Sequence, residues 1–136
     1  MIAKPLPVPD KDSAPWWEGL AAGELRVQRC GDCGTLRWPA RAICNHCRGF
    51  DAEWVAMSGR GTIKSWIRTH QPFHPAFAED LPYVTLLVAL DEQPDIQMIG
   101  AFANRNAEPA TGAPVRALFR DRGESPPILL WEAAMS

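Results

Sequence analysis

The stretch RCGDCGTLRWPARAICNHC, residues 29–47, contains all four cysteines of the chain in two identical C-x-x-C pairs. In such a pair both sulfurs can point to one side of a tight turn, and two facing turns supply four thiolates in a tetrahedron. Closed structural Zn²⁺ sites have this arrangement. The residues with this spacing are Cys30, Cys33, Cys44 and Cys47. We therefore predict that they bind structural zinc in a rubredoxin-like ribbon.

Other uses of four cysteines remain open at this point. Two disulfides or a thioredoxin-like redox pair are the alternatives to a metal, but the redox pair requires a βαβ context that the flanking sequence does not show. Iron can occupy four thiolates as zinc does, and the spacing does not separate the two metals. With every coordination position taken by sulfur, the metal would hold the fold and would activate no water.

Length and charge limit the class of protein. The chain has 136 residues, 46% of them hydrophobic, and a net charge of -2. This length supports one modest core with a small appendage rather than two full domains. The charge gives no general bias toward nucleic acid, and no apolar run is long enough to span a bilayer. The N-terminus lacks a secretory pattern, so we expect a protein of the reducing cytoplasm.

The N-terminal region predicts an extended arm and then a short helix. Residues 1–14 are rich in proline and without periodicity. Residues 13–25 follow as SAPWWEGLAAGEL, with Ser13 suited to the N-cap and a glycine near the stop. Trp16 and Trp17 are adjacent, hence about 100° apart on a helix, so we expect at least one to face something other than the core. We predict that this pair contacts a partner, since tryptophan is enriched at interface hot spots.

After the cysteines the apolar residues alternate with period two. The segments EWVAMSGRGTIKSWIRTH, PYVTLLVAL, IQMIGAF, PVRALFR and PILLWEA predict five strands, the first a long one bent at its glycines. Five strands without helical alternation favour a small Greek-key barrel, and the OB fold fits the length. We predict a mainly β chain in three parts: arm 1–14, helix and zinc ribbon 15–52, and OB-fold barrel 53–136.

Several motifs together resemble a known family. They are W-x-G-L-x-x-G-E-L from Trp17, W-P-A-R from Trp38 between the cysteine pairs, S-G-R-G-T-I from Ser58, and the short strings P-Y-V and G-A-P-V. Over residues 15–131 the chain resembles small zinc-ribbon plus OB-fold proteins associated with acyl-CoA metabolism. The resemblance implies a non-catalytic partner of a thiolase-like enzyme, such as an acyltransferase or steroid side-chain aldolase, or of an acyl-CoA hydratase.

The strand over residues 62–70 predicts a ligand face. Strict alternation places Lys64, Trp66 and Arg68 on the side opposite Ile63 and Ile67. A base could stack on the indole while the two cations hold phosphates, as CoA would require. Arg41, near the cysteines, and Arg60, between two glycines, are further candidates for phosphate contact.

Two functions follow from these features. The first is an accessory subunit that forms a hetero-oligomer with a thiolase-like or hydratase subunit and helps to position an acyl-CoA. The second is a single-stranded nucleic-acid binder, for which OB folds serve as platforms. The net charge of -2 disfavours the second, because strand binding depends on phosphate neutralisation. The motifs G-x-S-x-G, H-x-E and H-E-x-x-H do not occur, and we expect no catalysis by this chain alone.

Overall fold

The computed structural model describes residues 7–104, 107–120 and 127–134. The predicted arm thus lies partly outside the described residues. Within them the chain forms one short helix, one 3-10 helix over Pro75–Asp80 and eight strands. The elements are α1 (Ala14–Ala21), β1 (Leu25–Cys30), β2 (Leu36–Arg37), β3 (Ala52–Met57), β4 (Arg60–Thr69), β5 (Tyr83–Leu90), β6 (Gln97–Phe102), β7 (Pro114–Arg120) and β8 (Ile128–Ala133).

Helix α1 begins where the sequence predicts. Ser13 is its N-cap residue, and a reciprocal pair of hydrogen bonds fixes the approach to it. The N–H of Ser13 donates to Oδ1 of Asp10 at 2.7 Å, and the N–H of Asp10 donates to Oγ of Ser13 at 3.1 Å. Pro15 lies in the first turn, where its missing N–H costs nothing. Gly23 follows the helix with φ of 78°, a backbone conformation that glycine adopts without strain and that turns the chain into β1.

A three-stranded antiparallel sheet of order β2-β1-β3 carries the cysteine pairs. Strand β3 pairs with β1 over its full length, from Ala52 opposite Cys30 to Met57 opposite Leu25. The single long strand predicted from residue 53 is therefore wrong. It is two strands that turn at Gly59, and the first belongs to the ribbon sheet. Glu92 fixes this turn by accepting hydrogen bonds from the backbone N–H and the hydroxyl of Ser58.

The remaining five strands form a closed barrel of order β4-β5-β6-β8-β7. Strands β6 and β8 pair in parallel, through Ala101 with Leu130 and Phe102 with Trp131, and the other neighbours are antiparallel. This is the predicted OB-type barrel, and closure leaves no open sheet edge. Its inner positions on β5 are those that the alternation predicts, since Leu86 and Val88 are fully buried.

A β-bulge in β4 changes which side chains face the barrel interior. Ile63 lies opposite Val88 and Ser65 lies opposite Leu87, so Lys64 is an extra residue between them. Beyond the bulge the alternation shifts by one position. Trp66 consequently packs against the core, whereas Ile67 points outward and is 62% exposed.

One hydrophobic core connects the two parts of the chain. It joins Trp16 and Leu20 of α1 and Val27 of β1 to the barrel residues Val88 and Trp131. The amide of Gln93 adds a polar link by donating to the carbonyl of Leu36 at 3.2 Å. The ribbon and the barrel therefore pack as one unit. Across the described residues, the helices are too short for a bilayer crossing.

Candidate metal centre and ligand surfaces

The four cysteine sulfurs converge at the tip of the ribbon. They all lie within 4.8 Å of one another, with 3.5 Å between Sγ of Cys30 and Cys47 and 3.7 Å between Sγ of Cys33 and Cys44. A tetrahedral Zn²⁺ with bonds of about 2.3 Å requires sulfurs about 3.8 Å apart. The donor set thus fits zinc, and the two shorter separations are close to this tetrahedral value. The sulfur atoms are free thiols rather than disulfides.

The backbone of each turn directs N–H groups at the first sulfur of its pair. Sγ of Cys30 accepts from the N–H groups of Asp32 at 3.4 Å and Cys33 at 3.5 Å, and Sγ of Cys44 accepts from His46 at 3.4 Å. Hydrogen bonds of this kind stabilise thiolate charge. The N–H of Cys33, followed by that of Asp32, lowers the pKa of Cys30. The N–H of Cys47, followed by that of His46, lowers the pKa of Cys44 to about 6.

Cys47 shows the opposite shift. The N–H of Gly49 lowers its pKa, but its side-chain contacts with Cys30, Cys33 and Cys44, together with desolvation, outweigh that effect and raise the pKa to about 12. Four sulfurs this close cannot all carry charge without a cation between them. A divalent metal removes this repulsion, which is why the cluster is built to hold one. The imidazole of His46 is exposed and stands outside the cluster.

A buried polar pair anchors the loop between the two cysteine turns. Nε of Arg37 donates to Oε1 of Gln28 at 2.7 Å, and the N–H of Arg41 donates to the same oxygen at 2.8 Å. Nη2 of Arg37 donates in turn to the carbonyl of Arg41 at 3.1 Å. Arg37 is only 5% exposed and Gln28 only 7%. This pair has no signature in the sequence, because a charged residue in a basic segment is ordinarily solvated.

Arg41 is the candidate phosphate contact on the ribbon. The residue is exposed, and its backbone N–H donates to Gln28. The guanidinium of Arg41 is therefore available at the surface close to the cysteine turns. Arg41 precedes Cys44 by three residues in the sequence.

The two tryptophans of α1 have different surroundings. Trp16 is only 6% exposed and stacks on Trp38, with ring centroids 4.1 Å apart. Trp17 is half-buried and packs on the edge of the same core. Both side chains contact the core, but Trp17 does so only in part, so some of its surface faces elsewhere, as expected for neighbouring residues on a helix. Only Trp17 retains surface that a partner could contact.

The predicted ligand face on β4 is not a single face. Lys64 is exposed at the bulge, and Trp66 turns toward the core. The guanidinium carbon of Arg68 lies 5.3 Å from the centroid of the Trp66 ring, and Nη2 of Arg68 lies 3.1 Å from Oε2 of Glu108. Arg60 lies at the other end of β4, about 26 Å away at 3.3 Å per residue. One phosphate cannot contact both Arg60 and Arg68, and strict alternation failed here because one bulge residue exchanges the faces.

Comparisons with known proteins agree with this architecture. Residues 17–53 match a family described as the rubredoxin-like zinc ribbon domain of ChsH2, and residues 54–120 match one described as the C-terminal OB-fold domain of ChsH2. A solved structure titled "Ltp2-ChsH2(DUF35) aldolase" has a TM-score of 0.84 and 32% identity, covering 95% of this chain and 99% of that one. The prediction of structural zinc in a rubredoxin-like ribbon is thereby confirmed.

Two curated relatives are longer proteins. The chain is 43% identical over 89 residues to a probable enoyl-CoA hydratase alpha subunit of Thermomonospora curvata, covering 65% of this chain. It is 37% identical over 118 residues to the 3-oxo-4,17-pregnadiene-20-carboxyl-CoA hydratase alpha subunit of Mycobacterium tuberculosis, covering 85% of this chain. The matched part makes up 27% of the first relative and 36% of the second. The chain belongs to the ChsH2 family, whose members join a rubredoxin-like zinc ribbon to an OB-fold domain.

Proposed function

We propose that this chain is an accessory subunit that docks onto a thiolase-like or acyl-CoA hydratase enzyme and helps to position its acyl-CoA substrate. One observation carries the proposal: the similarity to the "Ltp2-ChsH2(DUF35) aldolase" structure extends over 95% of this chain. The two curated relatives are named as hydratase alpha subunits, and hydratase is therefore the second partner class. In this proposal the partner supplies the catalytic groups.

The metal centre supports a structural role for the ribbon. Four sulfurs within 4.8 Å of one another fill the coordination sphere of zinc and leave no position for water or substrate. Zinc would therefore shape a surface rather than polarise a thioester. Its thiolates persist in a reducing compartment, which supports the cytoplasm as the location of the complex.

The surface that we propose for docking combines α1 with the second cysteine turn. Ile43 and Phe50 flank this turn and are 48% and 75% exposed. The N–H of Cys44 donates to the carbonyl of Gly49 at 2.9 Å, so the chain segments that carry the two side chains lie side by side. Exposed apolar side chains held by a rigid, metal-bound turn suit the desolvated centre of an interface. Trp17 adds aromatic surface on α1.

For contact with the CoA part of the substrate, we propose Lys64 and Arg68, with Arg41 and Arg60 as separate, weaker contacts. Lys64 is exposed at the bulge, and Arg68 is held in place by the Trp66 ring and Glu108. The Glu108 carboxylate is 69% exposed, so Arg68 can exchange this surface ion pair for a phosphate at little cost. Replacing Lys64, Trp66 and Arg68 together by alanine is expected to weaken CoA binding by the complex about tenfold. Unchanged affinity would remove this strand from the model of substrate positioning.

Affinity purification of the tagged, zinc-loaded chain from its native host, with mass spectrometry of the bound proteins, tests the proposal. We expect a thiolase-like or hydratase subunit in a fixed molar ratio. The variant Ile43→Asp combined with Phe50→Asp should lose that subunit, whereas Val8→Asp, at a still more exposed apolar residue outside the proposed surface, should retain it. Recovery of single-stranded nucleic acid, or of no enzyme subunit, would contradict the proposal.

A further inference from the structure

A cavity of about 300 Å³ opens at one end of the barrel, away from the zinc ribbon residues. It lies where β5 begins, β6 and β7 end and β8 begins, beneath the 3-10 helix. Its walls are mainly aromatic and aliphatic. They include Phe77, Tyr83, Phe102, Ile128 and Leu130. The residues that we propose for contact with CoA, on β4 and on the ribbon, do not line it.

The residues at this end of the barrel line the cavity without filling it. Strands β6 and β8 pair through Ala101 and Phe102, and both residues line the cavity. The 3-10 helix contributes Phe77 and Asp80 to the lining, and it contains no buried residue. The rings of Phe77 and Tyr83 lie next to each other, with their centroids 6.4 Å apart. An apolar space of this kind, lined but not filled, is characteristic of a ligand site.

Two charged side chains also line the cavity, and they limit the chemistry of its ligand. Arg120 is exposed at the end of β7, and among the described residues no carboxylate forms an ion pair with it. Its guanidinium can donate to a ligand oxygen. Asp80 has interactions of its own, and its carboxylate disfavours a second negative charge nearby. A neutral acceptor such as a thioester carbonyl therefore suits this cavity better than a free carboxylate.

The size of the cavity selects one part of such a ligand. A volume of about 300 Å³ is at the lower end of the range for ligand sites, which is too small for a whole acyl-CoA. The apolar lining favours the acyl group over the nucleotide, whose phosphates and base require cations and hydrogen bonds. We propose that this cavity binds the apolar acyl group of a thioester, with Arg120 donating to its carbonyl oxygen. This proposal rests on the function proposed above in one respect: that function makes a thioester the source of the acyl group.

Calorimetric titration of the purified zinc-loaded chain, without any partner, tests this site. The probes are CoA, acetyl-CoA, octanoyl-CoA and free octanoate. We expect octanoyl-CoA to bind at least tenfold more tightly than acetyl-CoA, since each buried methylene adds to affinity. If octanoate binds more tightly than octanoyl-CoA, the cavity is a site for free fatty acids and the proposal of a thioester ligand is wrong. Equal affinity for all three CoA compounds would overturn the acyl site.

Variants separate the cavity from other apolar surface. Ala103, a half-buried lining residue, is replaced by phenylalanine to fill the cavity, and the exposed Ala110 outside it receives the same substitution as the control. A103F should abolish the preference for octanoyl-CoA, and A110F should keep it. Arg120→Gln should weaken octanoyl-CoA binding about fivefold. If A103F unfolds like the unmodified protein but retains the preference, the ligand lies elsewhere and the proposal is wrong. This test does not involve partner capture. A negative result would therefore overturn the acyl site without bearing on the docking proposal.

Discussion

The guanidinium of Arg37 and the side-chain amide of Gln28 form a hydrogen bond of 2.7 Å inside the ribbon, at 5% and 7% exposure. The same amide oxygen accepts from the N–H of Arg41. One buried oxygen thereby fixes both β2 and the loop that leads to the second cysteine turn. Nη1 of Arg37 has no partner among the described residues, so the guanidinium depends strongly on the bonds it does form.

Replacing Gln28 by leucine is expected to destabilise the zinc-loaded chain by about 3 kcal/mol, because it leaves a buried guanidinium without its acceptor. The double variant with Arg37→Leu should cost less than the sum of the two single changes. Urea unfolding followed by tryptophan fluorescence measures these free energies. Arg29→Gln, which breaks only the exposed pair with Glu53, is the control and should cost about 1 kcal/mol or less. Strict additivity of Gln28 and Arg37 would show that the pair is not coupled.

Substitution of a single cysteine should abolish zinc binding. Cys44→Ser removes a buried ligand, and we expect zinc content to fall from one equivalent to near zero, with loss of ribbon structure. His46→Ala alters the exposed residue inside the same C-x-x-C pair and should keep the full equivalent. Zinc release to a colorimetric chelator after denaturation gives both values. Zinc retained by the serine variant, or lost from the alanine variant, would place the ligand set elsewhere.

The adjacent tryptophans of α1 should respond differently to truncation. Trp16→Ala removes a side chain that is 6% exposed and stacked on Trp38, and it should cost about 3 to 5 kcal/mol of unfolding free energy. Trp17→Ala removes a half-buried side chain and should cost about 1 kcal/mol. In a pull-down under native conditions, Trp17→Ala should nevertheless weaken partner capture. Equal destabilisation by the two changes would contradict the difference in packing described here.

Closure of the barrel should depend on Gly61. A Cβ at this position would meet a methyl group of Val88 and would lie 2.6 Å from the carbonyl oxygen of Ala89. Backbone atoms cannot move aside as a flexible side chain can, so Gly61→Ala should cost about 1 to 3 kcal/mol. Thermal unfolding followed by circular dichroism provides the measurement, with the exposed Ser65→Ala on the same strand as the control. If the two variants are equally stable, β4 and β5 can move apart at Gly61 without loss of stability, and the prediction is wrong.

The features predicted from sequence are those that depend on local pattern. The C-x-x-C spacing predicts the metal site because both sulfurs of a pair belong to one turn. Alternation predicts the buried faces of β5 because Val84, Leu86 and Val88 follow one another without interruption. The face of β4 was assigned wrongly, since the bulge at Lys64 has no apolar signature and moves Trp66 inward. The buried position of Arg37 and the cavity beneath Phe77 depend on packing between distant segments, which alternation does not report.

The central claim is that this chain completes an acyl-CoA enzyme without carrying out the reaction itself. Steady-state kinetics of the co-purified enzyme subunit, with and without added zinc-loaded chain, tests it most directly. We expect kcat/KM for its acyl-CoA substrate to rise at least tenfold and to saturate at a fixed molar ratio, with no turnover by the chain alone. Full activity of the enzyme subunit without the chain, or turnover by the purified chain alone, would contradict the claim.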